Sequence, residues 1–250
     1  MGSPLEALRS SVDRLAALVR TCDDAATRRA YPSEWTVADV LSHVGSGAEI
    51  FRGRLDTALA DAPLPDGFGP NIWAAWDAKS PQSKIDDGIA ADDALTTHCE
   101  RLSPEERARA NVPMGASTFE WERFVLGRLN EHLLHEWDVA VALDPEATLA
   151  GDGVVHVVDN LEGIARFIGR PVDEPGEIAI ETTAPQRWFR VEVGNDDVQL
   201  LAAEPTEPTL TMPAESLVRL VYGRLDQSHT PSVVDEGPTL DRLRRTFPGL

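Results

Sequence analysis

The chain has 250 residues, an apolar fraction of 42% and a formal net charge of −19. That is enough apolar material for the core of one large or two small domains, and it excludes wholesale disorder. Acid predominates in both halves, so neither half offers the basic footprint that nucleic acids or anionic membranes select, and no apolar run approaches the ~20 residues that span a bilayer.

The amphipathic start, with Leu5, Leu8, Val12, Leu15 and Val19 at helical spacing, predicts a first helix over Pro4–Val19. It carries acids and lacks the basic start and apolar stretch of a signal peptide, so a cytoplasmic location is expected. A second helix begins at Thr36. Thr36 and Asp39 have the spacing of a reciprocal cap, with Trp35 and Val40 placed to staple it, and the helix is expected to run to about Leu59. Residues 61–82 read as a long connection with an aromatic island at Phe68, Trp73 and Trp76 and a helical turn at Ile72–Trp76. Connections of that length usually bind or cover something. A third helix is expected over Ser83–Leu102 and a fourth over Thr118–Leu143, with turns at Ser103-Pro104 and Pro113-Met114-Gly115 between them. These four helices predict an antiparallel four-helix bundle.

After Ala150 the texture changes. A helix over Gly153–Ile168 is followed by alternating segments at Glu177–Thr183, Trp188–Gly194, Val198–Ala202 and Thr209–Met212, with a hairpin signal at Gly194-Asn195-Asp196. Helices are expected over Ala214–Leu225 and Thr239–Thr246. The reading is an α+β chain of two domains: residues 1–148 a helical bundle, and residues 149–250 a small α/β domain with a mostly antiparallel sheet. Cys22 and Cys99 lie far apart and outside any C-x-x-C, so a disulfide framework or cysteine-based metal site is not expected.

The chemistry concentrates in the fourth helix. Glu131 and His135 are four residues apart, one turn apart on one face, and can bite a single metal ion through an anionic oxygen and a neutral nitrogen. Arg128 and Asp138 extend the stripe. The alternative is a solvated face with surface ion pairs, but the helix is apolar on both flanks, which places the stripe inside a bundle where it needs partners. His43 is the best third ligand, because it shares the inward face of the second helix with Val40 and Gly47, and Gly45 and Gly47 leave space near it. Its other reading is a core histidine. Asp138, three residues after His135, is expected to orient that imidazole without binding the metal. His132 pairs more naturally with Glu136 and reads as structural.

Asp39-Val40-Leu41-Ser42-His43 and Arg128-x-x-Glu131-x-x-x-His135-x-x-Asp138 resemble the corresponding segments of mycothiol-dependent maleylpyruvate isomerases. Thr209–Leu225, with Pro213-Ala214-Glu215 and Leu220-Val221-Tyr222-Gly223-Arg224, resembles that family's C-terminal strand–helix unit. The resemblance covers nearly the whole chain. It implies a DinB-like metal-binding bundle followed by a sterol-carrier-protein-like domain. It implies His43, Glu131 and His135 as ligands of a divalent ion, expected to be Zn2+, with mycothiol or a similar small thiol as cosubstrate. It also implies a catalytic arginine, for which Arg224 is the closest match and Arg219 the second. Zinc lowers the pKa of a bound thiol. The thiolate would add to a small electrophilic substrate, and cis–trans isomerisation follows if it is later eliminated. A thiol S-transferase using the same site, a non-haem iron centre with the same ligand types, and a non-catalytic metal-binding regulatory protein remain as alternatives. The metal is expected at the inner end of a pocket between the domains, with residues 61–82 on its rim and Arg224 reaching toward it.

Overall fold

The computed structural model describes residues 2–31, 34–115, 117–172, 175–235 and 237–249. The chain divides into two compact units, the first ending at Ala147 and the second beginning at Thr148.

The first unit is mainly helical. Helix α1 (Pro4–Arg20) starts at a reciprocal cap between Ser3 and Glu6, with Pro4 in the first turn, where its missing N–H costs nothing. Helix α2 (Val37–Leu59) starts at the cap anticipated from sequence: Asp39 N donates to Thr36 Oγ1 at 3.2 Å, and Thr36 N donates to Asp39 Oδ2 at 3.1 Å. Residues 61–82 hold more structure than expected, because helix α3 spans Phe68–Asp77. Its anchors are two aromatic rings in notches left by glycines of α2. Phe68 lies over Gly53, and Trp76, 1% exposed, lies against Gly45. Trp76 is therefore a core residue, while Trp73 is 53% exposed.

Helix α4 (Pro81–Arg101) begins two residues before the expected Ser83, because Ser80 caps it and Pro81 opens the first turn. A short helix, α5 (Pro104–Arg109), and a hairpin of β1 (Asn111–Met114) and β2 (Ser117–Glu120) occupy a stretch that reads as turns in the sequence. The hairpin sets Val112 opposite Phe119, and Arg54 of α2 donates to Pro113 O at 2.7 Å. Helix α6 (Trp121–Ala140) consequently starts three residues after the expected Thr118. The long helices pack α1 on α6, α2 on α4, α1 on α4 and α2 on α6.

Two apolar clusters lie in this unit among the described residues. One contains Leu15, Val40, Leu41, Val44, Ile85 and Val139, and the other contains Ala48, Leu55, Leu95, Cys99, Phe124 and Val125. Buried polar side chains lie between the two clusters: Ser11 on α1, Asp92 on α4, and Arg128 and His132 on α6. The candidate site sits beside them.

In the second unit, α7 (Gly151–Val157) and α8 (Glu162–Ile168) replace the single expected helix, with a 3-10 turn at Val158–Asn160 between them. Asn160 Nδ2 donates to His156 O at 2.8 Å, a local side-chain bond that competes with regular helix continuation. Strands β3 (Gly176–Thr183), β4 (Arg187–Val193), β5 (Val198–Ala202) and β6 (Leu210–Pro213) form one sheet in the order β5-β4-β3-β6. It is mostly antiparallel, with β6 parallel to β3. Helix α9 (Ala214–Val221) ends earlier than the expected Leu225, close to Gly223, whose φ of 69° is a left-handed value that terminates helices readily. Helix α10 (Pro238–Thr246) follows. Among the described residues no helix is long and apolar enough to cross a membrane.

Candidate metal centre

His43 lies in the second turn of α2, and Glu131 and His135 lie one turn apart on α6. Antiparallel packing of the two helices brings the three side chains together. Glu131 Oε2 is 3.6 Å from His43 Nε2 and 3.8 Å from His135 Nε2, and one donor atom from each residue falls within 4.8 Å of the others. A tetrahedral ion bound at about 2.0–2.1 Å separates its donors by about 3.4 Å. Glu131 therefore needs to close on each imidazole by only a few tenths of an ångström, and the donor set of two imidazoles and a carboxylate fits zinc.

The protonation states favour a cation. Burial raises the Glu131 carboxyl, but hydrogen bonding to His43 and electrostatic attraction to His135, His43 and Arg128 outweigh it and hold it at about 2. Burial lowers His135 below the ordinary imidazole value, against the opposing pull of Asp138, so its ring is neutral at neutral pH. His135 Nδ1 and Asp138 Oδ2 are 2.9 Å apart. An ionised carboxylate only accepts, so the ring proton sits on Nδ1 and the Nε2 lone pair faces the cluster. Asp138 is fully buried; His43 and Glu131 each keep 45% of their side-chain surface exposed, so the cluster opens to solvent on that flank.

The stripe on α6 is not a solvated face. Arg128 is 3% exposed, and its Nη2 donates to Asp92 Oδ1 at 2.6 Å and to Val44 O at 2.9 Å, beside His43. Asp92 also meets His132 Nε2 at 2.5 Å. Burial raises the Asp92 carboxyl, yet His132 and Arg128 beside it bring it to about 2. Among the described residues, His132 is joined to Glu136 through Ser11, whose Oγ lies 2.7 Å from His132 Nδ1 and 2.5 Å from Glu136 Oε2.

Three features escaped the sequence reading. Asp92 had a signal: it interrupts the buried stripe Ile85, Gly88, Leu95, Cys99 with a charge. The space expected at Gly45 is filled, since a Cβ there would lie 2.2 Å from the Trp76 ring and 2.8 Å from Gly88 Cα. Trp35, expected only to staple the start of α2, packs against both site histidines.

The expected arginines belong to the second unit. Arg219 is 1% exposed and is held by Glu215, at 2.7 and 2.9 Å, and by His229 O at 2.6 Å. Those bonds commit it to the interior of that unit. Arg224 follows α9, is half-buried, and donates from Nη1 to Tyr222 O at 3.1 Å.

Comparison with known proteins places this geometry in context. Two solved structures resemble the chain: a mycothiol-dependent maleylpyruvate isomerase (13% identity, TM-score 0.64, covering 95% of this chain and 98% of that one) and a histidine-to-alanine mutant of a mycothiol-dependent maleylpyruvate isomerase (13% identity, TM-score 0.63, covering 90% and 92%). At that identity the likeness is one of fold. No curated protein matches significantly. The sequence model of the mycothiol maleylpyruvate isomerase N-terminal domain matches residues 8–140, more than half of the chain and the segment that carries all three donors, and the chain belongs to that family.

Proposed function

We propose that this protein is a metal- and mycothiol-dependent enzyme of the maleylpyruvate isomerase type, with His43, Glu131 and His135 holding one divalent ion, zinc by preference. The observation that carries the reading is the convergence of those three donors within 4.8 Å of one another, with Glu131 3.6 and 3.8 Å from the two histidines and Asp138 at the far nitrogen of His135. Family membership and the shared fold support the choice of reaction.

When bound, such an ion supplies Lewis acidity that lowers the pKa of a thiol at its open position. The protein's own groups do the rest. Glu131 contributes the one negative charge of the donor set and leaves the site with a net positive charge when loaded, which favours an anionic sulfur. Asp138 holds the proton on Nδ1 of His135 and keeps the ring from rotating. The flank beside His43 and Glu131 gives a bulky thiol access. The sulfur adds to one carbon of a conjugated cis double bond, rotation follows about the resulting single bond, and elimination regenerates the thiol and the trans alkene. The sequence is redox-neutral and consumes nothing. Arg224, matched by resemblance, is the residue we assign to the substrate carboxylate, where a guanidinium pairs well.

The test combines metal analysis of the purified chain, calorimetry with mycothiol, and an assay of maleylpyruvate isomerisation with and without the thiol. Thiol-dependent turnover with the thiol recovered unchanged supports the isomerase. A product that retains the thiol assigns an S-transferase. A chain that binds neither metal nor thiol overturns the proposal. Arg224→Ala should leave metal content intact and lower turnover of a carboxylate substrate more than thiol binding.

A further inference from the structure

We propose that Trp35 is a positioning residue of the metal centre: its indole fixes the ring planes of His43 and His135 and closes one flank, so that a ligand enters beside Glu131. The proposal rests on the metal reading above.

The two imidazoles meet edge to face, with centroids 4.6 Å apart and an interplanar angle of 67°. The Trp35 ring is the third member of this cluster. It stacks on His135 at 6.3 Å with only 15° between the planes, and it tilts against His43 at 5.4 Å and 52°. The two histidines need it to different degrees. His135 is already held at Nδ1 by Asp138. Among the described residues, no side chain other than Glu131 bonds the His43 ring, so packing against Trp35 and His135 sets its orientation. Aromatic packing of this kind prefers defined geometries, and here it takes the place of the hydrogen-bonded partner that usually orients a metal-binding histidine.

Trp35 is itself well anchored. Ala30 N donates to Trp35 O at 2.9 Å, and Val37 N donates to Arg28 O at 2.9 Å, so residues 28–30 and 35–37 form a short paired frame at the start of α2. Tyr31 N donates to Asp138 O at 3.0 Å, which ties that frame to the residue that orients His135. The indole therefore packs against both imidazoles from a fixed frame. His43 and Glu131 each keep 45% of their side-chain surface exposed, which leaves a ligand its approach beside Glu131.

The experiment uses the full chain, stripped of metal and titrated with cobalt(II), whose visible absorption reports coordination geometry. Trp35→Phe keeps a ring and should bind nearly as the unaltered chain does. Trp35→Ala should bind on the order of tenfold more weakly, as loss of an orienting partner does, with a changed cobalt band. Trp35→Leu keeps apolar bulk and carries the same test if the alanine variant does not fold. The emission difference between the unaltered chain and Trp35→Phe should be quenched by cobalt. Folded Ala or Leu variants with unaltered affinity and band, or an emission difference that cobalt leaves untouched, would overturn the role of Trp35 alone. Failure of the unaltered chain to bind cobalt overturns the metal reading and this inference with it.

Discussion

Asp138 Oδ2 lies 2.9 Å from His135 Nδ1, one turn of α6 apart, and Asp138 exposes none of its surface. A buried carboxylate is costly to keep unless it is hydrogen-bonded, and His135 is one of the partners of Asp138. Here it fixes the tautomer that leaves Nε2 free. Asp138→Asn retains the shape but can present an N–H to the ring. It should weaken metal binding by about 10–100-fold, the usual loss for an orienting partner, without changing the donor set. Competition with a chromogenic chelator measures this; unchanged affinity would remove the orienting role.

His43→Ala, Glu131→Ala and His135→Ala should each lower metal content while the fold survives, because the two apolar clusters contain none of these three side chains. Mass spectrometry gives the stoichiometry and thermal unfolding the stability. Undiminished metal in all three variants refutes the assignment. Metal loss with global unfolding would instead mark a structural ion.

The clustering of His43, Glu131 and His135 was legible because its signals are local. Glu131 and His135 share a helix face by spacing, and the Thr36–Asp39 cap fixes where α2 begins and therefore which way His43 points. What the sequence hid depends on distant partners. The β1–β2 hairpin has four-residue strands, one of them carrying Pro113, too short to show alternation. Helix α3 owes its place to glycines of α2 that receive its aromatic rings, and nothing in residues 61–82 names those glycines. Trp35 shows its staple position locally, but its contact with His135 spans a hundred residues of sequence.

Asp92 should dominate part of the acid stability. Its carboxyl titrates at about 2 in the folded chain, below the ordinary carboxylate value of 3.8. A group depressed on folding contributes its full stability above the unfolded pKa and loses it as pH falls through the folded pKa. The window is thus from pH near 4 down to pH near 2, and the shift corresponds to about 2 kcal/mol. Asp92→Asn should flatten this limb. It should also cost roughly 3–5 kcal/mol at neutral pH by leaving Arg128 buried without its counter-charge. An apolar double replacement, Asp92→Leu with Arg128→Met, should cost much less. Urea unfolding across pH checks both effects; equal losses for the single and double variants would contradict the pairing.

Gly45 and Gly47 look equivalent in sequence, two small residues beside His43, but the structure separates them. A Cβ at Gly45 would stand 2.2 Å from Trp76 Cη2 and 2.8 Å from Gly88 Cα, and the second contact is to backbone that cannot rotate away. At Gly47 the nearest atom is Arg128 Nη1 at 3.0 Å, the far end of a long side chain. Gly45→Ala therefore has to push α2 from α4 or expel the Trp76 ring, an overpacking cost of about 1–3 kcal/mol. Because His43 lies half a turn away on the same helix, that displacement should also weaken metal binding. Gly47→Ala should cost less, since the buried Arg128 has to give by only a few tenths of an ångström and the better helix propensity of alanine, about 1 kcal/mol, offsets part of that strain. Thermal unfolding and chelator competition on the two variants decide the matter: if Gly45→Ala is as mild as Gly47→Ala in both measurements, the close approach of α2 to α4 at Gly45 and Gly88 does not set the position of His43.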